Sequence, residues 1–210
     1  MLPLEAFHVA YEGDRKVLRF GAVLVNNGPG PLDIKGIRKT VLDRDLHVTQ
    51  TVLQAGGGTR LIKTPAIMRY EVEDGHDHFH VQNFERYRLR PADSTEWRES
   101  RKEGWCLRDD GNLGGHPQRY NDADFDCGAD MADEALAVRQ GITEGWADVY
   151  DWYLEGQYVD LNGYTLPGDF CVSADADPQQ QLTETSEDNN TTSTVVHITE
   201  TEVSIIRQGC

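Results

Sequence analysis

Short apolar segments that alternate with polar residues and end at turn-forming residues restrict this chain to a β fold. The clearest spans residues 17–26, where every second side chain is apolar: Leu18, Phe20, Ala22 and Leu24. In an extended strand these side chains share one face and Arg19 lies on the other, as in a half-buried strand. The Asn-Gly-Pro-Gly-Pro sequence that follows ends the strand, because glycine accepts positive φ and proline lacks a backbone donor.

Further short apolar runs predict strands along the rest of the chain. They are residues 32–37, 46–52, 67–72, 86–89, 157–161, 169–172 and 194–198. Only residues 132–140 have a helical pattern, and that segment is short. Regularly spaced short strands favour a sandwich or barrel. We therefore predict an all-β fold, an antiparallel β-sandwich with long irregular loops and little helix, in a single domain of residues 1–210.

The charge balance limits the partners of this chain. It has 36 acidic and 20 basic residues and a formal charge of −16, which repels polyanions and attracts cations at long range. Nucleic acid is therefore not expected as a partner. The sequence contains no apolar run of about 18 residues, so we also expect no membrane span.

The four cysteines are even in number and lack the C-x-x-C spacing of zinc ribbons and redox motifs: Cys106, Cys127, Cys171 and Cys210. Two structural disulfides explain them better and indicate an oxidising compartment. The first two lie in residues 93–144, a segment too long for an ordinary loop, which predicts a functional or disulfide-clamped excursion. We expect a secreted or cell-surface protein whose leader is not present in this chain, the alternative being a protein that is not exported.

The strongest chemical signal is the segment Gly75-His76-Asp77-His78-Phe79-His80. Imidazoles on alternate residues of a strand share one face, but a straight strand spreads three of them over about 13 Å. The strand therefore has to bend to bring them to one ion, and Gly75 would allow it. Neutral imidazoles bind zinc, copper, iron or nickel, and the sequence does not choose among them. We predict a metal site at His76, His78 and His80, with a surface histidine cluster as the alternative.

The histidine motif continues in two ways that point to different protein families, and the first is the weaker. The spacing of His78, His80 and Glu85 is similar to the first motif of the cupins, a family of metal-binding barrels. The second cupin motif needs a histidine after a Pro-x-Gly element, and Pro167-Gly168 is not followed by one until His197. A cupin-type metal-dependent oxygenase remains an alternative. A non-catalytic, metal-stabilised β-sandwich that binds other proteins is another.

Four successive blocks resemble the catalytic domain of the lysyl oxidase family in order and approximate spacing. They are residues 74–80 (DGHDHFH), 84–87 (FERY), 101–107 (RKEGWCL) and 141–150 (GITEGWADVY). Segments near both ends, including residues 27–32 and 184–190, also look like this family. The resemblance thus extends over nearly the whole chain.

The resemblance implies a copper-dependent amine oxidase that makes its quinone from its own side chains. His76, His78 and His80 match the copper ligands, and Lys102 and Tyr150 match the residues that join as lysine tyrosylquinone. The implied reaction deaminates primary amines, such as peptidyl-lysine or other cationic amines, to aldehydes. It consumes dioxygen and releases hydrogen peroxide and ammonia. To add to the quinone, Lys102 has to lose its proton, which burial favours by lowering its pKa.

A candidate for the general base is Asp148, two residues before Tyr150. At the position where animal members of the family carry a further histidine, this chain has Arg86. That difference weakens any mechanism with a histidine base, although His116 is available in the long loop. A surface role is the alternative for Asp148.

The resemblance also implies a disulfide pairing and a second metal. Cys106 is expected to pair with Cys127, which leaves Cys171 for Cys210. Calcium is expected at Glu184, Asn189 and Asn190, because carboxylate and amide oxygens are hard ligands. An Asn-Asn turn without a metal is the alternative.

Overall fold

A computed structural model describes residues 1–72, 77–100, 104–120, 127–128 and 133–210. Sixteen strands occur in these residues: β1 (Glu5–Glu12), β2 (Arg15–Val25), β3 (Leu32–Ile37), β4 (Asp45–Leu53), β5 (Thr59–Glu71), β6 (His78–Gln82), β7 (Glu85–Pro91), β8 (Arg98–Glu99), β9 (Gly104–Trp105), β10 (Gly111–Asn112), β11 (Ala137–Ile142), β12 (Trp146–Tyr150), β13 (Tyr158–Asp160), β14 (Gly168–Ala176), β15 (Thr191–Ile198) and β16 (Val203–Gln208). Within the same ranges, no helix has the length and apolar character needed to cross a membrane.

The described strands form three antiparallel sheets. The first has the order β1-β2-β12-β10, with β13 paired to the first half of β2. The second has the order β11-β3-β4-β5-β6-β9, and the third β16-β15-β14-β7-β8. The prediction of an all-β, antiparallel fold is therefore confirmed.

Strand β2 pairs with β1, β12 and β13 and departs from the half-buried pattern. Its residues 17–22 are all buried. Arg19, expected on a solvent face, is only 8% exposed. Its guanidinium pairs with Glu12 and donates to the backbone oxygens of Trp152 and Leu154 at 3.0 and 2.9 Å. An arginine is tolerated here because these partners satisfy its charge and its donors.

The helix predicted over residues 132–140 is wrong for residues 137–140. Residues 137–142 form β11, which pairs with β3. Arg139 forms two 2.8 Å hydrogen bonds to Asp33 of that strand, while Gln140 is fully buried. Pairing with the edge of a sheet has overridden the local helical pattern.

The second sheet curves so that β11, at one edge, contacts β6 and the segment that follows β9 near the other edge. Gln140 of β11 donates to the backbone oxygen of Phe79 on β6 at 2.6 Å and accepts from the amide of Leu107 at 3.1 Å. Aromatic contacts join the sheets to one another: Phe20 of β2 lies edge-on to Tyr87 of β7, with centroids 4.9 Å apart. Stacking of Tyr150 on Trp105 places β12 beside β9, and β9 in turn pairs with β6.

Two disulfides join separate parts of the chain. Cys106, just after β9, is joined to Cys127, and Cys171 on β14 is joined to Cys210. This is the pairing expected from the family resemblance. The first bridge lies next to the histidine strand, because the backbone oxygen of Cys127 accepts from the amide of Phe79 at 2.8 Å.

Candidate active site

Strand β6 presents two of the three predicted histidine ligands side by side. His78 and His80 are alternate residues of the strand, and their Nε2 atoms lie 2.8 Å apart. His80 is buried, with 2% of its surface exposed. The chain turns just before the strand, where Asp77 adopts a φ of 31°. His76 lies outside the described residues.

The spacing of these two nitrogens fits ligands of one metal ion. Two imidazole nitrogens, each about 2.0 Å from an ion and at roughly a right angle, are separated by about 2.8 Å. The observed Nε2 separation has this value. Within the described ranges, no group of three or more His, Cys, Asp and Glu side chains is arranged to hold a metal. The assignment of His76 as a further ligand thus stays a prediction.

A carboxylate behind the histidines was missed in the sequence. Glu71, the last residue of β5, pairs directly opposite His78 and so shares its face of the sheet. Its Oε2 lies 2.8 Å from Nδ1 of His80, and its Oε1 accepts from Nε2 of Gln82 at 2.8 Å. The only sequence signal for this contact is the β5–β6 pairing, whose register the sequence does not reveal.

The short strand β9 lies against the other side of β6. Gly104 pairs with Gln82, and Trp105 pairs with Val81. A Cβ on Gly104 would lie 2.8 Å from the Cβ of His80, closer than such atoms normally approach. Glycine is therefore required at this position for β9 to reach the histidine strand. Lys102, two residues earlier in the sequence, lies outside the described residues.

Tyr150, at the end of β12, is held by the residues that follow Gly104. Its ring is stacked on that of Trp105, with centroids 3.8 Å apart and an interplanar angle of 17°. The backbone amide of Cys106 donates to its hydroxyl oxygen at 3.0 Å. Burial, and then the nearby charge of Asp148, raise the pKa of Tyr150 well above its usual value. The phenol is therefore protonated near neutral pH.

The two candidate bases, Asp148 and His116, and the residue that replaces the family's further histidine, Arg86, occupy different surroundings. Asp148 is fully buried on the face of β12 that also carries Tyr150. Arg86 pairs with Asp175, with its Nε 3.2 Å from Oδ2. His116 is exposed, and its backbone oxygen accepts from the indole of Trp146 at 2.6 Å. Of the three, Asp148 is the one whose charge acts on Tyr150.

The residues predicted for calcium come together only in part. The amide of Asn190 donates to Glu184 and to Glu187, both at 3.0 Å. The side chain of Asn189 instead donates to Asn27 at 3.3 Å. Glu184 and both asparagines line a cavity of about 530 Å³. Although Glu184 has an exposed edge, loss of solvent around its carboxyl group raises its pKa to about 7.

Comparisons with known proteins add an independent finding. The family model described as Lysyl oxidase matches residues 35–210. Lysyl oxidase homolog 2 of Xenopus tropicalis is 30% identical to this chain over 118 residues. That match covers 56% of this chain and 14% of the relative, so the chain spans a small part of the length of that protein.

Proposed function

This chain belongs to the lysyl oxidase family, and we propose on that premise that it is a copper-dependent amine oxidase. Its substrates are primary amines, including peptidyl-lysine or other cationic amines, which it converts to aldehydes. Dioxygen is the second substrate, and hydrogen peroxide and ammonia are released. The family match favours this function over a cupin-type oxygenase or a non-catalytic binding module.

The observation that carries the proposal is the continuous contact from the histidine pair to a buried tyrosine. Gly104 lies against His80, and the next residue, Trp105, is stacked on Tyr150. The proposal assigns copper to His76, His78 and His80, and a lysine tyrosylquinone to Lys102 and Tyr150. Bound copper and the mature quinone supply the redox chemistry of amine oxidation.

The protein contributes position, burial and proton transfer. Stacking on Trp105 fixes the plane of the Tyr150 ring, and the Cys106 amide fixes the position of its oxygen. Both contacts restrict the face and edge of the ring at which another group can approach. We assign Asp148 as the base that removes a proton from the α carbon of the bound amine, because it is buried on the same face of β12.

The built-in quinone is tested by mass spectrometry of the copper-loaded protein. We expect a covalent link between the peptides that contain Lys102 and Tyr150, together with a coloured adduct after phenylhydrazine treatment. Lys102→Arg keeps the charge but cannot add to a quinone, since its guanidinium stays protonated. This variant should bind copper yet lose the crosslink and the activity together.

A matched control for this experiment is Lys63→Arg, which changes an exposed lysine on β5. It should retain the crosslink and full amine oxidation. Near-normal activity in Lys102→Arg would mean that the quinone has to be assigned to another residue pair. A wild-type protein that binds copper but never reacts with phenylhydrazine would contradict the enzyme assignment.

We also propose a calcium site at Glu184, Asn189 and Asn190, with Glu187 as a further ligand. In support, the Asn190 amide lies between the two carboxylates, and carboxylate and amide oxygens suit calcium. Calcium should raise the melting temperature of the wild type but not of Glu184→Gln. Glu202→Gln, which changes an exposed residue before β16, should respond like the wild type.

The raised pKa of Glu184 makes this calcium effect depend on pH. Between pH 4.5 and about 7 the carboxyl group is neutral in the folded protein but ionised in the unfolded chain. Protons therefore compete with calcium as pH falls below about 7. We expect a larger calcium-induced rise in melting temperature at about pH 8 than at about pH 6. An equal rise in wild type and Glu184→Gln would contradict the site.

A further inference from the structure

We propose that Glu71 is the residue that positions His80 for metal binding. The inference rests on the proposed function, since it assigns a role at the same histidine pair. Glu71 lies on β5, the strand next to the one that carries the predicted ligands. It belongs to none of the sequence blocks that resemble the family. It is a positioning residue, because it acts on the ion through His80.

Each oxygen of the Glu71 carboxylate contacts a different side chain. Oε2 contacts Nδ1 of His80, and Oε1 accepts from the amide of Gln82, both at 2.8 Å. His80 and Gln82 are alternate residues of β6, so one carboxylate fixes two neighbouring side chains on one face. The position of Glu71 is itself fixed by its pairing opposite His78.

This contact selects one tautomer of the buried imidazole. A carboxylate accepts hydrogen bonds and cannot donate them when ionised, so His80 carries its proton on Nδ1. Nε2 of His80 then presents its lone pair toward Nε2 of His78, 2.8 Å away. That lone pair is what a metal ion requires, so this tautomer of His80 suits metal binding.

Burial makes the carboxylate difficult to replace. His80 is 2% exposed, so water has little access to Nδ1 once Glu71 is changed. Gly104 approaches the Cβ of His80 so closely that a side chain there would clash with it. Loss of outer partners of this kind lowers metal affinity about 10- to 100-fold in proteins.

The test measures copper affinity of the metal-free protein by competition with a coloured chelator. Glu71→Gln keeps the size of the side chain and removes its charge. We expect its copper affinity to fall by about 10- to 100-fold. The matched control is Asp169→Asn, which makes the same charge change beside Nδ1 of His197 on the third sheet. It should bind copper within about twofold of the wild type.

NMR of the ring nitrogens in the metal-free protein separates positioning from a structural role. The wild type should show His80 as a single tautomer with its proton on Nδ1, and Glu71→Gln should show a mixture. Equal copper affinity and an unchanged tautomer in folded Glu71→Gln would overturn the inference. If that variant does not fold, a wild-type His80 with its proton on Nε2 overturns it alone. A wild type that binds no copper contradicts the proposed function instead, and leaves the NMR result to decide the role of Glu71.

Discussion

Two buried tyrosines, Tyr87 and Tyr150, differ in the partners of their hydroxyl groups. The pKa values of Tyr87 and Tyr150 are both raised well above the usual value, chiefly by burial. The hydroxyl of Tyr87 faces a side chain, Gln157, at 3.0 Å in the core. That of Tyr150 faces the backbone at Cys106, and its ring lies flat on Trp105. The second arrangement adjoins the histidine strand, through the pairing of β9 with β6.

Phenylalanine substitutions should separate the roles of these two tyrosines. Tyr150→Phe should abolish quinone formation, because its ring lacks the oxygen from which the quinone is made, while copper still binds. Tyr87→Phe should retain the quinone but destabilise the fold by about 1–3 kcal/mol, since it leaves the buried amide of Gln157 without its partner. Phenylhydrazine absorbance and urea unfolding measure the two effects. Quinone formation in Tyr150→Phe would contradict the assignment.

At the scale of elements, the site depends on the close approach of two strands. β9 contains only Gly104 and Trp105, and its pairing with β6 places the backbone of the first against His80. The same two residues connect the histidine strand to Tyr150. A two-residue strand therefore sets the distance between the predicted copper ligands and the predicted quinone.

An alanine at residue 104 should disturb this approach. In Gly104→Ala the new Cβ meets the Cβ of His80 at 2.8 Å, so β9 or His80 has to move. We expect weaker copper binding and little quinone, with a loss of stability of about 1–3 kcal/mol from overpacking. Gly111→Ala on β10 is the control, since its Cβ makes ordinary contacts of 3.4 Å or more. Equal copper affinity in the two variants would show that the close approach is not needed.

The elements also show how far the sequence predicts this molecule. A short apolar run correctly predicted β3. The alternation of side chains along a strand correctly placed His78 and His80 on one face, because both patterns are local. The sequence did not predict the partner of Glu71, which depends on register between strands. Residues 137–140 were misassigned for a similar reason, since their strand exists through pairing with β3. The burial of Arg19 followed from partners more than a hundred residues away.

At the scale of the whole molecule, strands of the first and second sheets meet at the site, and two disulfides join distant parts of the chain. The two bridges support the proposal that the protein is secreted or on the cell surface. They differ in position, because Cys106 contacts Tyr150 while Cys171 and Cys210 tie β14 to the end of this chain. Loss of either bridge should therefore reduce stability, but only loss of the first should prevent quinone formation.

Removal of each bridge by paired serine substitutions tests this separation. The bridges close loops with separations of 21 and 39 residues, for which chain entropy predicts losses of about 3 and 4 kcal/mol. The Cys106 and Cys127 variant should also lose quinone formation, because the backbone that holds the Tyr150 oxygen is released. The Cys171 and Cys210 variant should keep it at temperatures where it is folded. Equal quinone formation in both variants would show that the Cys106–Cys127 bridge is not needed for the site.

The charge of −16 belongs to the molecule as a whole, and it should act on the arrival of substrate. A diamine carries one more positive charge than the monoamine of equal length, so long-range attraction favours it. The screening length falls from about 30 Å at 0.01 M salt to about 3 Å at 1 M. We therefore expect the ratio of kcat/KM for the diamine to that for the monoamine to exceed one at low salt. That ratio should decrease severalfold as salt rises. The monoamine controls for general salt effects on the enzyme, and a ratio that does not change with salt would show that charge does not select the substrate.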